Sequence, residues 1–264
     1  MAALSPSGMI EIGGQQLEYR HVGPPPAIAP TVVLLHEGLG SAELWGGFPE
    51  QLAAATGAGV LAYSRAGYGR SSTTAVPRPF SYMHDEALVV LPRLLDAIGF
   101  ERGLLVGCSD GASIATIFAG QIGDPRVKGL VLMSPHFFVE DETAAGALAA
   151  LAVYESGDLR EKLARWHSHV DVAFHGWNKA WTDPAFRSWN ITDALPLIQS
   201  PMLILQGERD EYGTARQIEA AELGCFCPVT ALLMKGVGHL PYREAPEATT
   251  AAIAAFAKPL LAPD

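Results

Sequence analysis

The sequence predicts an α/β protein with a mostly parallel, doubly wound sheet of about eight strands and an inserted helical cap. Two observations carry this prediction. Short apolar, β-branched runs alternate with helix-forming segments along most of the chain, as in a parallel sheet covered on both faces. The alternation stops between residues 137 and 196 and then resumes. We therefore assign residues 1–136 and 197–264 to the core and 137–196 to the cap.

The first elements predict an antiparallel edge to this sheet. Residues 9–23, "MIEIGGQQLEYRHVG", alternate around Gly13 and Gly14 and predict a β-hairpin with a primed turn. The run "TVVLLH", 31–36, predicts a buried strand. The segment "GVLAYSRAGYGRSS", 59–72, predicts another strand followed by a glycine-rich loop.

The later elements continue the alternation of strand and helix. Residues 81–99 have helical spacing that Pro92 should perturb. Strands are predicted in "GLLVG" and "VKGLVLMSP", with the helix "ASIATIFAGQIG" between them. After the cap come the strand "PMLILQGERDEYG", the helix "TARQIEAAEL", the strand "PVTALLMKGVGH" and the closing helix "PEATTAAIAAFAKPLL". This order completes the doubly wound sheet.

Composition limits the class of protein and its partners. With 264 residues, 49% hydrophobic and 17% charged, the chain can bury a sizeable core. The formal net charge of −10 argues against nucleic acid or an anionic membrane as a partner. The odd set Cys108, Cys225 and Cys227 favours a reducing compartment, and we find neither a signal peptide nor an 18-residue apolar run. We expect a cytoplasmic protein.

A strand–turn–helix motif supplies the first candidate site. Residues 107–111, "GCSDG", match G-x-S-x-G, with a predicted strand before them and a helix after them. In such a turn the middle residue, Ser109, projects into the site. Cys108 should point into packing. Asp110 should offer its backbone N–H to a developing oxyanion, and its carboxylate should cap the helix.

An activated serine needs a base and an orienting acid, which in this architecture follow it in the order acid, then histidine. The segment "LILQGERDEYG" ends its strand at Asp210, with Glu211 as the alternative acid. The segment "LLMKGVGHLPYREAPE" ends its strand at His239. Both residues therefore follow predicted strands in the expected order.

Taken with "LLHEGLGS" and "SRAGYGRS", these segments resemble the α/β-hydrolase-fold superfamily over essentially the full chain. The resemblance implies that Ser109 is the nucleophile, His239 the general base and acid, and Asp210 the residue that orients His239. It also implies an oxyanion hole from the backbone N–H groups of Gly38, or less favourably Leu39, together with Asp110. No cofactor or metal is implied.

The chain departs from the superfamily at Glu37, where a glycine is usual, and at Ser64, where an aspartate is frequent. Because one loop gains an acid where its neighbour loses one, we predict that Glu37 pairs with Arg65 and supports the loop. The alternative is a catalytic role in which Glu37 positions water.

Aromatic residues of the cap suggest how substrate is held. An aromatic-lined pocket above the serine would favour an aryl or acyl group over a sugar or phosphate. The predicted pocket consists of Glu37, Leu39, His136, Phe137, Trp177 and Trp181. A metal site in "HSHVDVAFH", at His167, His169, Asp171 and His175, is disfavoured because the spacing does not suit a helix.

These observations predict a serine hydrolase that cleaves a small-molecule carboxylic ester through an acyl-enzyme. One alternative keeps the triad but breaks a C–C bond, opens a lactone or acts as a lyase. Another is a ligand receptor derived from a hydrolase, with little turnover. We expect a small acyl or aryl substrate and no nucleic acid, membrane or metal partner. The oligomeric state stays open, with a homodimer as one option.

Overall fold

Eight strands form one sheet in the computed structural model, which describes residues 4–262. The strands are β1 Ser7–Ile12, β2 Gln15–Val22, β3 Thr31–Leu35, β4 Gly59–Tyr63, β5 Gly103–Cys108, β6 Val127–Met133, β7 Met202–Gly207 and β8 Val229–Met234. Their order across the sheet is β1-β2-β4-β3-β5-β6-β7-β8. β1 and β2 pair antiparallel with each other, as does β2 with β4, and the remaining pairings are parallel. The predicted fold class is confirmed.

Helices cover the sheet on both faces. They are α1 Phe48–Thr56, α2 Tyr82–Asp85, α3 Leu91–Ala97, α4 Asp110–Gln121, α5 Asp141–Ser156, α6 Leu159–Ala164, α7 Val170–Thr182, α8 Arg216–Gly224, α9 Pro241–Glu244 and α10 Pro246–Leu261. Between α2 and α3 lies a π-helical turn, Glu86–Val90. Pro92, which has no N–H to donate, lies two residues after this turn, so the helical segment over residues 82–97 is continuous but perturbed in its middle, as predicted.

The central strands are apolar on both sides because both sides are covered. In β3, Val33 and Leu35 face one core and Val32 and Leu34 face the other, and all four are buried. Helices α1 and α10 pack on the second core, and α3, α4 and α8 pack on the first. This two-sided burial explains the continuous apolar runs seen in the sequence.

Helices α5, α6 and α7, with 3₁₀ turns at Pro184–Ser188 and Thr192–Leu197, lie between β6 and β7 in the chain. They fall within the segment predicted to form the cap, and α5 packs against α7. Their buried aromatic side chains continue the core on the α4 side of the sheet. Within residues 4–262, no helix combines the length and the apolar character that crossing a membrane requires.

Candidate active site

Ser109 lies at the tip of the sharp turn between β5 and α4. Its backbone has φ 52° and ψ −119°, a strained conformation for a residue with a side chain. A Cβ at Gly107 would overlap the backbone of Gly111, and a Cβ at Gly111 would overlap the carbonyl of Leu35. Glycine is therefore needed at both positions for strand and helix to pass so closely.

Asp210 and His239 come together at the ends of β7 and β8. The Nδ1 atom of His239 lies 2.8 Å from Oδ1 and 2.9 Å from Oδ2 of Asp210. The carboxylate also accepts from the side-chain amide of Gln206 at 2.8 Å and the backbone N–H of Tyr212 at 2.8 Å. Glu211, the alternative acid, is exposed at the cavity mouth. Geometry thus selects Asp210 as the partner of His239.

These contacts shift the pKa of both members of the pair. Burial disfavours the Asp210 carboxylate, but the hydrogen bond and charge of His239 outweigh it and hold the pKa of Asp210 below its ordinary value. Burial likewise disfavours the charged form of His239. The hydrogen bond and charge of Asp210 prevail, however, and raise the pKa of His239. The imidazolium formed when His239 takes a proton is therefore stabilised.

Ser109 and His239 line the same cavity. Among the hydrogen bonds of residues 4–262, none joins the Ser109 hydroxyl to the His239 ring. Without substrate such a contact is frequently long or misaligned and shortens in the reactive complex. The arrangement is compatible with a serine that hands its proton to His239.

The cavity has a volume of about 260 Å³, which suits a small molecule. Of the predicted pocket, Glu37, Leu39, His136, Trp177 and Trp181 line it. The sequence did not point to several other lining residues, which are Leu44, Thr143, Leu159, Leu163, Tyr212, Leu240 and Arg243. Tyr212 and Leu240 carried a local signal, since they follow Asp210 by two positions and His239 by one. The ring of Tyr212 packs 4.6 Å from that of His239.

Phe137 does not reach the cavity, and the prediction that it would is wrong. Its side chain is fully buried in the hydrophobic core, and its backbone N–H donates to Oε1 of Gln217 at 2.8 Å. Ser134, with φ 47°, turns the chain at the end of β6. After this turn His136 lines the cavity while Phe137 packs into the core.

The two predicted oxyanion donors lie on neighbouring elements. Asp110 is the first residue of α4, so its backbone N–H has no acceptor within the helix. Gly38 lies in the loop after β3 and lines the cavity. A Cβ at Gly38 would overlap the indole of Trp177. The cap therefore packs directly against the backbone of this loop.

The Asp110 carboxylate does not cap α4, contrary to the prediction. It is fully buried and accepts from the hydroxyl of Tyr82 at 2.7 Å and the indole N–H of Trp181 at 3.2 Å. The Arg65 guanidinium lies 3.8 Å away. Burial raises the pKa of Asp110, and Arg65 opposes that shift. The network of Asp110, Tyr82, Trp181 and Arg65 links the serine turn to the cap.

The predicted ion pair between Glu37 and Arg65 is also wrong. Arg65 donates to the backbone carbonyls of His36, at 2.5 Å, and Glu37, at 3.1 Å. The Glu37 side chain instead accepts from the hydroxyl of Tyr242 at 3.2 Å. Arg65 does support the loop, but its guanidinium binds backbone carbonyls of the loop rather than the Glu37 carboxylate. The carboxylate that faces Arg65 belongs to Asp110.

Side chains suited to holding a metal are not grouped in the described part of the chain, where no cluster of three or more His, Cys, Asp or Glu occurs. His167 accepts from the backbone N–H of Gly69 at 2.9 Å, and its Nε2 lies 3.1 Å from the carbonyl of Leu39. Asp171 accepts from Arg160 and Tyr154. Two residues of the disfavoured metal motif, His167 and Asp171, thus have protein partners.

Comparison with known proteins places the chain in a family. The model of the alpha/beta hydrolase family matches residues 32–253, and the chain belongs to this family. A search of curated proteins finds no match.

Solved structures share the fold at low sequence identity. A thermophilic esterase from Thermogutta terrifontis is 21% identical with a TM-score of 0.75, covering 98% of this chain and 100% of that one. The enol-lactonase from Burkholderia xenovorans LB400 is 21% identical with a TM-score of 0.69, covering 94% and 99%. Proline iminopeptidase from Mycobacterium smegmatis is 20% identical with a TM-score of 0.70, covering 95% and 97%. Proteins with different substrates therefore share this fold.

Proposed function

We propose that this member of the alpha/beta hydrolase family is a serine hydrolase that cleaves carboxylic esters of small acyl or aryl compounds. The observation that carries the proposal is the hydrogen-bonded pair of Asp210 and His239 beside the cavity that Ser109 also lines. The strained backbone of Ser109 supports the same assignment, because strain of this kind concentrates at functional sites.

In the first half-reaction, Nε2 of His239 takes the hydroxyl proton of Ser109 as Oγ attacks the ester carbonyl carbon. The carbonyl oxygen becomes an oxyanion and accepts hydrogen bonds from the N–H groups of Gly38 and Asp110. When this intermediate collapses, the bond to the alkoxy oxygen breaks. His239 then gives its proton to that oxygen, and the alcohol leaves an acyl group on Ser109.

In the second half-reaction, water attacks the acyl carbon while His239 accepts one of its protons. The tetrahedral intermediate collapses with cleavage of the bond to Oγ, and His239 returns the proton to Ser109. The carboxylic acid leaves, and the resting enzyme is restored. These steps would also open a lactone, in which acid and alcohol belong to one molecule.

A fluorophosphonate probe and a short-chain aryl ester test the proposal together. We expect labelling and multiple turnover for the unaltered protein and for Cys108→Ala, and neither for Ser109→Ala. Labelling that persists in Ser109→Ala contradicts the assignment of the nucleophile. Labelling without repeated turnover contradicts the hydrolase function and favours the alternative of a ligand receptor with little turnover.

A further inference from the structure

His136 is a second histidine beside His239. It follows β6 and is 2% exposed. Its ring stacks on that of His239 with centroids 5.7 Å apart and packs 5.1 Å from the indole of Trp181. Its backbone is held firmly, because its carbonyl accepts from the hydroxyl of Ser113 at 2.6 Å. The ring is thus fixed in the cavity wall, next to the proposed base.

The polar atoms of this ring have no partner in the described part of the protein. Nδ1 is buried without a hydrogen bond, and no hydrogen bond of Nε2 occurs within residues 4–262. A Cβ at Gly213 would lie 3.6 Å from Nδ1 and 3.6 Å from Oε2 of Glu140. That oxygen already accepts from the backbone N–H of Thr214 and the side-chain amide of Gln217. Unpaired buried polar groups are costly and rare in folded proteins. Nε2 is not among the enclosed unpaired atoms, so it is the ring nitrogen that a ligand in the cavity can reach.

The charge state of His136 limits what it can bind. Burial, together with the neighbouring His239, lowers the pKa of His136 to about 3. At neutral pH the ring is therefore an uncharged imidazole with one N–H donor and one nitrogen acceptor. It suits a hydroxyl or keto oxygen of the substrate better than a carboxylate.

We propose that His136 determines specificity by hydrogen bonding to a hydroxyl or keto oxygen that the substrate carries close to its scissile ester. This inference rests on the proposed ester hydrolysis. The oxygen lies close to the scissile bond because His136 packs against His239, which must reach the Ser109 hydroxyl and the leaving alkoxy oxygen. The indoles of Trp177 and Trp181 provide an apolar wall for an aryl group. The preferred substrates are accordingly hydroxy or keto esters with an aromatic part.

Two matched pairs of esters test this preference on either side of the scissile bond. Methyl mandelate and methyl phenylacetate differ by a hydroxyl on the acyl part. The 2-hydroxyethyl and propyl esters of phenylacetate differ on the alcohol part. We expect kcat/KM to favour the hydroxyl member of at least one pair by about 10-fold, the effect of satisfying one buried polar group.

Variants of His136 separate recognition from a structural role. In the pair that shows the preference, His136→Phe should lower the ratio of kcat/KM between the hydroxyl ester and its partner to about 1. His136→Gln, which can still hydrogen-bond, should restore part of the preference. His84→Gln, on a helix away from the cavity, should retain it in full.

The outcomes that contradict the inference are distinct. Equal kcat/KM within both pairs for the unaltered protein overturns it, as does an equal loss on both members in His136→Phe. Turnover without a hydroxyl preference overturns this inference alone. Failure to turn over any ester overturns the proposed function as well.

Discussion

At the scale of single residues, two adjacent acids have different surroundings. Asp210 is held against His239 by hydrogen bonds from Gln206 and Tyr212, whereas Glu211 is exposed. We predict that Asp210→Asn lowers kcat by about 10³–10⁴-fold, because His239 loses the carboxylate that orients it and stabilises its charge. Glu211→Gln is the matched control and should stay within a few-fold. Equal losses in steady-state ester hydrolysis would remove Asp210 from its assigned role.

The same pair predicts the pH dependence of activity. Only neutral His239 can accept the serine proton, and Asp210 raises the pKa of His239 above its ordinary 6.5. The limb on which kcat/KM increases with pH should therefore have its midpoint above pH 6.5. In Asp210→Asn the midpoint should move down, since burial then acts unopposed. A midpoint unchanged by this substitution would argue against the coupling.

Some site residues were predictable because their signals are local. Ser109 lies within five consecutive residues of a motif, and Asp210 and His239 each follow an apolar strand. The partner of Glu37 was not predictable, because Tyr242 lies 205 positions away in the sequence. The opposite directions of His136 and Phe137 depend on the backbone at Ser134, which composition does not reveal.

At the scale of elements, a buried polar network joins the cap to the core. Trp181 of α7 donates to the Tyr82 hydroxyl at 3.0 Å and to the Asp110 carboxylate at 3.2 Å. We predict that Trp181→Phe lowers the free energy of unfolding by about 1–3 kcal/mol, since buried acceptors lose their donor. Urea unfolding measures this change. Trp166→Phe is the control, since Trp166 is 44% exposed, and an equal effect of both substitutions would contradict the role of the network.

The loop after β3 is a second point where elements meet. A Cβ at Gly38 would overlap Trp177, which is 7% exposed and cannot move freely. Gly38→Ala should therefore displace the loop that carries the proposed oxyanion donor and lower kcat by about 10²-fold, the usual effect of losing one donor. Gly47→Ala has open space and is the control. Similar kcat values for the two variants would show that the loop tolerates the contact.

The types of the secondary-structure elements were predictable from hydrophobic periodicity, whereas the contacts between elements were not. Continuous apolar runs predicted β3 to β7 because both faces of the sheet are covered. The π-helical turn at Glu86–Val90 and the contacts of the cap depend on packing between distant segments. Such packing leaves no short-range pattern in a single sequence.

At the scale of the whole molecule, buried histidines make stability depend on pH. Burial lowers the pKa of His21, His36, His136 and His167. The unfolded chain therefore binds more protons at these sites below pH 6.5. As the pH is lowered, the free energy of unfolding should decrease by up to about 1.4 kcal/mol per pH unit for each histidine. Raised pKa values at Asp110, Glu86 and His239 oppose this in part.

Urea unfolding at pH 7.5 and pH 5.5 checks this balance. We expect lower stability at pH 5.5 and a smaller difference in His136→Phe, which removes one of the four histidines. Stability that is equal or greater at pH 5.5 would show that the opposing groups dominate.

The central claim is that Ser109 becomes acylated, and the mass of a trapped acyl-enzyme tests it most directly. Rapid acid quench after mixing with an aryl ester, followed by tryptic digestion, isolates residues 103–126, which contain Cys108, Ser109 and Ser113. We predict one acyl group per chain, with fragment masses that place it on Ser109, and no acyl group in Ser109→Ala. An acyl group on Cys108, or ester turnover by Ser109→Ala at the rate of the unaltered protein, would contradict the account.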